Sequence, residues 1–137
     1  MRAILIDPFA CTVTEIDHDH TSHQSIYPAL SHETMPVDCF DVVRLAFGDG
    51  IYIDDEGLLK SPARFFCLND YHDDEGTLVP LAGKGLILGS DAEGETIGAK
   101  VPLAWVLEQV IFMAIDGAGR FAPTRAPWTP TREEQNQ

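Results

Sequence analysis

No apolar segment of this chain runs far before a turn interrupts it, and three of the interruptions share one form. They are Asp54-Asp55-Glu56-Gly57, Asp73-Asp74-Glu75-Gly76 and Asp91-Ala92-Glu93-Gly94. Asp accepts hydrogen bonds from nearby backbone N–H groups, and Gly takes a positive φ without steric cost, so each D-x-E-G stretch makes a tight β-connection. Positive φ is expected at Gly57 and Gly94. The apolar segments between such turns, among them Ala3-Ile4-Leu5-Ile6, Cys39 to Phe47, Ile51-Tyr52-Ile53 and Arg64 to Leu68, suit strands better than long helices. The expected fold class is α+β: mainly an antiparallel β-meander, with one or two short helices near residues 22–31 and 102–109. The turns recur 19 and 18 residues apart, but their flanking segments share no pattern, so they are not the signature of a repeat protein.

Finer expectations follow along the chain. Ala3–Ile6 and the alternating Cys11–Ile16 form an N-terminal hairpin, and Leu58-Leu59-Lys60 returns as a strand ended by Pro62. Leu81 to Gly89 reads as a β-rich run in which Gly83, Gly85 and Gly89 permit a bulge or a close backbone approach. Pro102 opens a short helix, and Val110–Ile115, rich in β-branched residues and closed by Asp116-Gly117, follows it as a strand. At 137 residues the chain is expected to form a single acidic domain over 1–117, followed by a Pro-rich, disordered tail over 118–137.

The charge is unevenly spread. Twenty-two acids face nine Lys and Arg, a formal −13. Residues 1–117 hold 20 acids and 6 bases, for −14, whereas residues 118–137 hold 2 acids and 3 bases, for +1. A field of that sign repels phosphate backbones and anionic membranes and favours a protein with a basic surface. The N-terminus lacks the pattern of a signal peptide. The longest apolar stretch, Val101–Ile115, contains Glu108 and Gln109 and falls short of a bilayer span. Cys11, Cys39 and Cys67 contain no C-x-x-C pair and are expected as buried free thiols in a reducing, intracellular compartment.

The run Ile51 to Lys60, then Phe65-Phe66, then Pro80-Leu81-Ala82-Gly83-Lys84-Gly85-Leu86-Ile87-Leu88-Gly89 with Asp91 and Glu93-Gly94, resembles a family of small uncharacterised proteins. That family is encoded by bacteriophages, prophages and conjugative plasmids. Leu5-Ile6-Asp7-Pro8-Phe9 followed by Thr14-Glu15 fits the same progression, and the likeness extends over about residues 1–115. Its motifs are structural, so it implies no catalytic activity. It implies an accessory role in a mobile element, alongside or against host machinery. The His-rich stretch at 17–24 and the Pro-rich tail depart from the pattern.

His18, His20 and His23 carry the one spacing suited to a metal, since neutral imidazoles bind zinc or nickel. The order H-x-H-x-S-H approximates the metal motif of the metallo-β-lactamase fold, but Ser22 stands where that motif needs Asp. No cofactor is expected, with a divalent metal at these histidines as the minor alternative. Asp54, Asp55, Glu56, Asp73, Asp74 and Glu75 do not match a twelve-residue calcium loop and are instead the candidate binding residues for a basic partner. Gly83-Lys84-Gly85 lacks the rest of a phosphate loop, and no Ser stands in G-x-S-x-G. Trp105 and Phe112 suit a core. Tyr71, Trp128 and the tail's Arg120, Arg125 and Arg132 suit exposed contacts.

The expected function is therefore that of a non-enzymatic phage or mobile-element accessory protein. It would bind a host or phage protein, as an acidic inhibitor of host defence or a related factor. The alternatives are a metal- or small-molecule-binding enzyme using loop 18–23 and an assembly factor docking through its C-terminal tail.

Overall fold

Asp7 begins the first reversal of the chain: its Oδ1 accepts the N–H groups of Phe9 and Ala10, at 3.0 and 3.2 Å, and turns strand β1 (Arg2–Asp7) back into β2 (Thr12–Asp17). The computed structural model describes residues 1–60 and 64–129. A short 3-10 turn over His23–Ser25 leads into helix α1 (Ile26–Leu30). Strands β3 (Phe40–Arg44) and β4 (Gly50–Asp54) form the next hairpin. Then come β5 (Phe65–Leu68), β6 (Leu81–Ala82), β7 (Gly85–Ser90) and β8 (Thr96–Ile97). Helix α2 (Leu103–Gln109) passes directly into β9 (Val110–Ile115), and β10 (Phe121–Pro123) returns along it.

The fold is α+β, with antiparallel strand pairs and two short helices. One sheet has the order β2-β1-β7-β4-β3, with β8 joined to the end of β7; the other has the order β10-β9-β5-β6. Strand β7 lies between the two N-terminal hairpins and pairs with β1 on one side and β4 on the other. Both its faces are covered, which is why Leu86, Ile87 and Leu88 form an unbroken apolar run rather than an alternating one. Ile87, Ile4, Ile6 and Ile51 pack towards Phe66, Leu68 and Val106 of the second sheet and α2. Leu86, Leu88, Ala3 and Tyr52 face Ile26, Leu30 and Val37 on the other side. A smaller third cluster joins Phe9, Met35, Phe65 and Ala82.

The run Leu81 to Gly89, expected to hold a bulge or a close backbone approach, is two strands in two sheets with a close approach between them. Gly83, at φ 75°, takes the chain from β6 in the second sheet towards β7 in the first. At Gly85 the sheets come so close that an added Cβ would lie 2.7 Å from Phe66 Cζ and 2.9 Å from Ile51 Cγ2.

The acidic turns divide differently from their spelling. At Asp73 and Asp91, Oδ1 accepts the N–H groups two and four residues on, at 2.9–3.0 Å, and Gly76 and Gly94 have φ 83° and 82°. Asp116-Gly117-Ala118-Gly119 makes the same turn, with bonds to Ala118 and Arg120 N–H and φ 76° at Gly119. Asp54 does not. Its Oδ1 accepts only Glu56 N–H of that pattern, and the chain then enters a 3-10 helix over Gly57–Lys60. The expected positive φ at Gly57 and the expected strand at Leu58-Leu59-Lys60 are both corrected here. Gly57 is required for space instead, because a Cβ would meet Ala82 Cβ at 2.8 Å.

The region expected as a disordered tail is ordered in its first part. Strand β10 pairs with β9, Thr124 N–H donates to Phe112 O at 2.8 Å, and Trp128 packs on Phe9. Pro62, Arg132 and the rest of 130–137 lie outside the described residues. Among those described, no helix is long and apolar enough to cross a membrane.

Candidate functional site

Loop 18–25 folds around the hydroxyl of Ser25. Ser25 Oγ donates to Ser22 O, and it lies 3.4 Å from His18 Nε2 and 3.2 Å from His20 Nδ1. The hydroxyl thus links both imidazoles to the backbone of the loop. The ring centroids of His18 and His20 are 5.5 Å apart, those of His20 and His23 6.2 Å, and His23 meets Phe40 edge-on. Among the described residues, no group of three or more His, Cys, Asp or Glu side chains is arranged to hold a metal ion. His18 is 6% exposed, and its pKa is lowered by burial first, then by His20 and the N-terminal ammonium, against the opposing charge of Asp19.

The six candidate carboxylates do not behave as one set. Asp73 is committed to its own turn. Asp54 is buried, and its Oδ2 receives Lys60 Nζ at 2.8 Å, while the same ammonium donates to Pro36 O. This clasp closes the 54–60 segment and ties it to the chain before β3. Asp55 and Glu56, between the ends of the clasp, stay exposed, as do Asp74 and Glu75 at the Asp73 turn.

The residues that sequence reasoning missed stand on the clasped segment itself. Leu58 and Leu59 are 63% and 86% exposed, where a returning strand was expected to use them. One hollow, about 140 Å³, is bounded by Asp55, Leu58 and Leu59 from this segment and by Asp41, Ile53 and Leu81. A second, about 450 Å³, takes Glu56 and Lys60 from the segment and Pro36, Val37 and Asp38 from the chain before β3. The segment is the wall between them. The sequence signal was present in Leu58-Leu59 next to Asp-Asp-Glu, but the segment was expected as a returning strand.

Two other places invite a site. A hollow of about 260 Å³ lies among Leu45, Leu68, Tyr71 and Trp105, with Arg44 and Asp70 at its border. Strand alternation puts the Arg44 side chain on the Val42 face, and its Nη1 lies 3.6 Å from where a Gly50 Cβ would stand, so the guanidinium lies across Gly50. At the tail, Phe9 and His32 stack at 3.8 Å, with Trp128 edge-on to both. Buried Arg64 donates to Ala126 O at 2.6 Å and to Cys11 Sγ at 3.5 Å. Trp128 is thus part of a packed cluster rather than a free contact. The wholly buried Asp49 is a fastening: its Oδ2 accepts Lys100 and Val101 N–H at 2.8 and 2.9 Å.

The cysteines also differ from expectation, since Cys67 is buried, Cys11 half-buried and Cys39 exposed. Partial desolvation, then Glu56, Asp38 and Asp55, push the Cys39 thiol up, away from the reactive thiolate. The chain matches no protein-family model, no curated protein and no solved structure.

Proposed function

We propose that this chain is a non-enzymatic accessory protein of a phage or other mobile element, and that it binds a partner protein with a basic surface through the clasped segment 54–60. One observation carries the reading. The described chain holds two adjacent leucines, 63% and 86% exposed, with Asp38, Asp41, Asp55 and Glu56 lining the hollows beside them. Exposed apolar side chains supply contact area that a partner can desolvate, and surrounding charge selects the partner and speeds encounter. The one ammonium in the segment, Lys60, is held by Asp54, so it does not cancel the outer carboxylates. Interference with a host defence protein is one use to which such a surface is suited.

The test is capture from cells carrying the element, comparing wild type with Leu58→Asp/Leu59→Asp and with Asp55→Asn/Glu56→Gln. The reading expects a basic protein retained by wild type, lost with the leucine variant, and bound more slowly and with less salt dependence by the amide variant. A captured partner indifferent to both changes contradicts it.

A further inference from the structure

The hollow beside Leu59 is small and concave, with a mixed lining of aliphatic side chains and carboxylates. Leu58, Leu59, Ile53 and Leu81 supply its aliphatic contacts, and Asp41, Asp54 and Asp55 its carboxylates. Its volume, about 140 Å³, suits one branched or linear aliphatic side chain and little more. Across the segment, the larger hollow presents Glu56 and Asp38. Lys60 approaches Asp38 only to 3.9 Å while holding Asp54 at 2.8 Å, so the outer carboxylates keep most of their field.

Resting on the protein-binding reading above, we propose that the occupant is a linear peptide segment of the partner, with one aliphatic anchor side chain flanked by lysine or arginine. The anchor enters the hollow under Leu58 and Leu59. Its basic neighbours lie against Asp41 and Asp55 on one side and cross the wall to Glu56 and Asp38 on the other. Exposed leucines beside carboxylates of one sign divide the work in this way: the aliphatic anchor supplies affinity, and the charges supply selection and rate. A second copy of this chain is disfavoured as the occupant, because two chains of formal charge −13 repel each other.

The experiment is selection of random octapeptides on the full chain at low salt, followed by anisotropy titration of the enriched peptide with wild type, Leu58→Ala/Leu59→Ala and Asp41→Asn/Asp55→Asn. The expected enrichment is an aliphatic residue with lysine or arginine on both sides. Affinity should drop about tenfold or more in the leucine variant. The amide variant should bind more weakly at low salt and lose part of the salt dependence. Thermal melts of both variants establish that the fold is intact.

Enrichment of basic peptides with no aliphatic anchor overturns the peptide-anchor inference but leaves the basic-partner reading standing. Enrichment without basic residues contradicts both. Failure to enrich any peptide, while the captured partner still depends on Leu58 and Leu59, means that a folded surface is the occupant and the inference is wrong. Self-association abolished by Leu59→Asp replaces the proposed occupant with a second copy.

Discussion

Individual residues test the account at its most local. His18 is buried and resists protonation in the folded chain, whereas in the unfolded chain it protonates near the ordinary imidazole value of about 6.5. As pH falls through that value, the unfolded state takes up more protons than the folded one, so this contribution to stability is complete above it and is lost below it. His32, lowered by burial first and then by Lys84, acts in the same direction. Urea unfolding at pH 7.5 and 5.5 should therefore show a loss of stability in the acid, and His18→Gln should show a smaller loss. Equal losses would mean that His18 does not contribute. Lys60 is the second residue. Removing its side chain leaves the buried Asp54 carboxylate without its ammonium, so Lys60→Met should destabilise by about 2 to 3 kcal/mol. A change within about half a kcal/mol, the range of ordinary surface substitutions, would show that the clasp is not structural.

At the scale of elements, β1 to β5, β7, β9 and both helices were legible because their apolar spacing agreed with their turn chemistry, whereas the 3-10 helix at Gly57–Lys60 and the tail strand β10 were not. Helix α2 and strand β9 follow the expected change from helical spacing to β-branched sequence at Val110. What could not be read was which D-x-x-G stretch becomes a β-turn. Asp73, Asp91 and Asp116 use their carboxylates on their own turns, but Asp54 is drawn away by Lys60 six residues later and by close packing at Ala82. That competition is tertiary, and it is also what leaves Leu58 and Leu59 outside. Gly57→Val should still destabilise, by roughly 1–3 kcal/mol, through overpacking against Ala82 and Met35 rather than through backbone strain. Gly94→Ala, where nothing lies within 4 Å of the added Cβ but φ is 82°, is the matching control for strain alone. Its cost is about 1 kcal/mol. A Gly57→Val variant as stable as wild type would refute the close approach of β6 to the 3-10 helix.

For the molecule as a whole, the charge was fully legible and the surface that uses it was not. Composition gave −14 to residues 1–117 but could not say which carboxylates are spent internally. Asp7, Asp49, Asp54, Asp73, Asp91 and Asp116 all accept backbone N–H groups, so much of the acidic count builds the fold. The most direct test is amide hydrogen exchange on the captured complex against the free chain. The account predicts slowed exchange over 54–60, with accompanying protection in 36–41 and 80–82, and no change in the His loop at 18–25. Protection concentrated at 121–129 or in the His loop, with 54–60 exchanging as in the free chain, would contradict it.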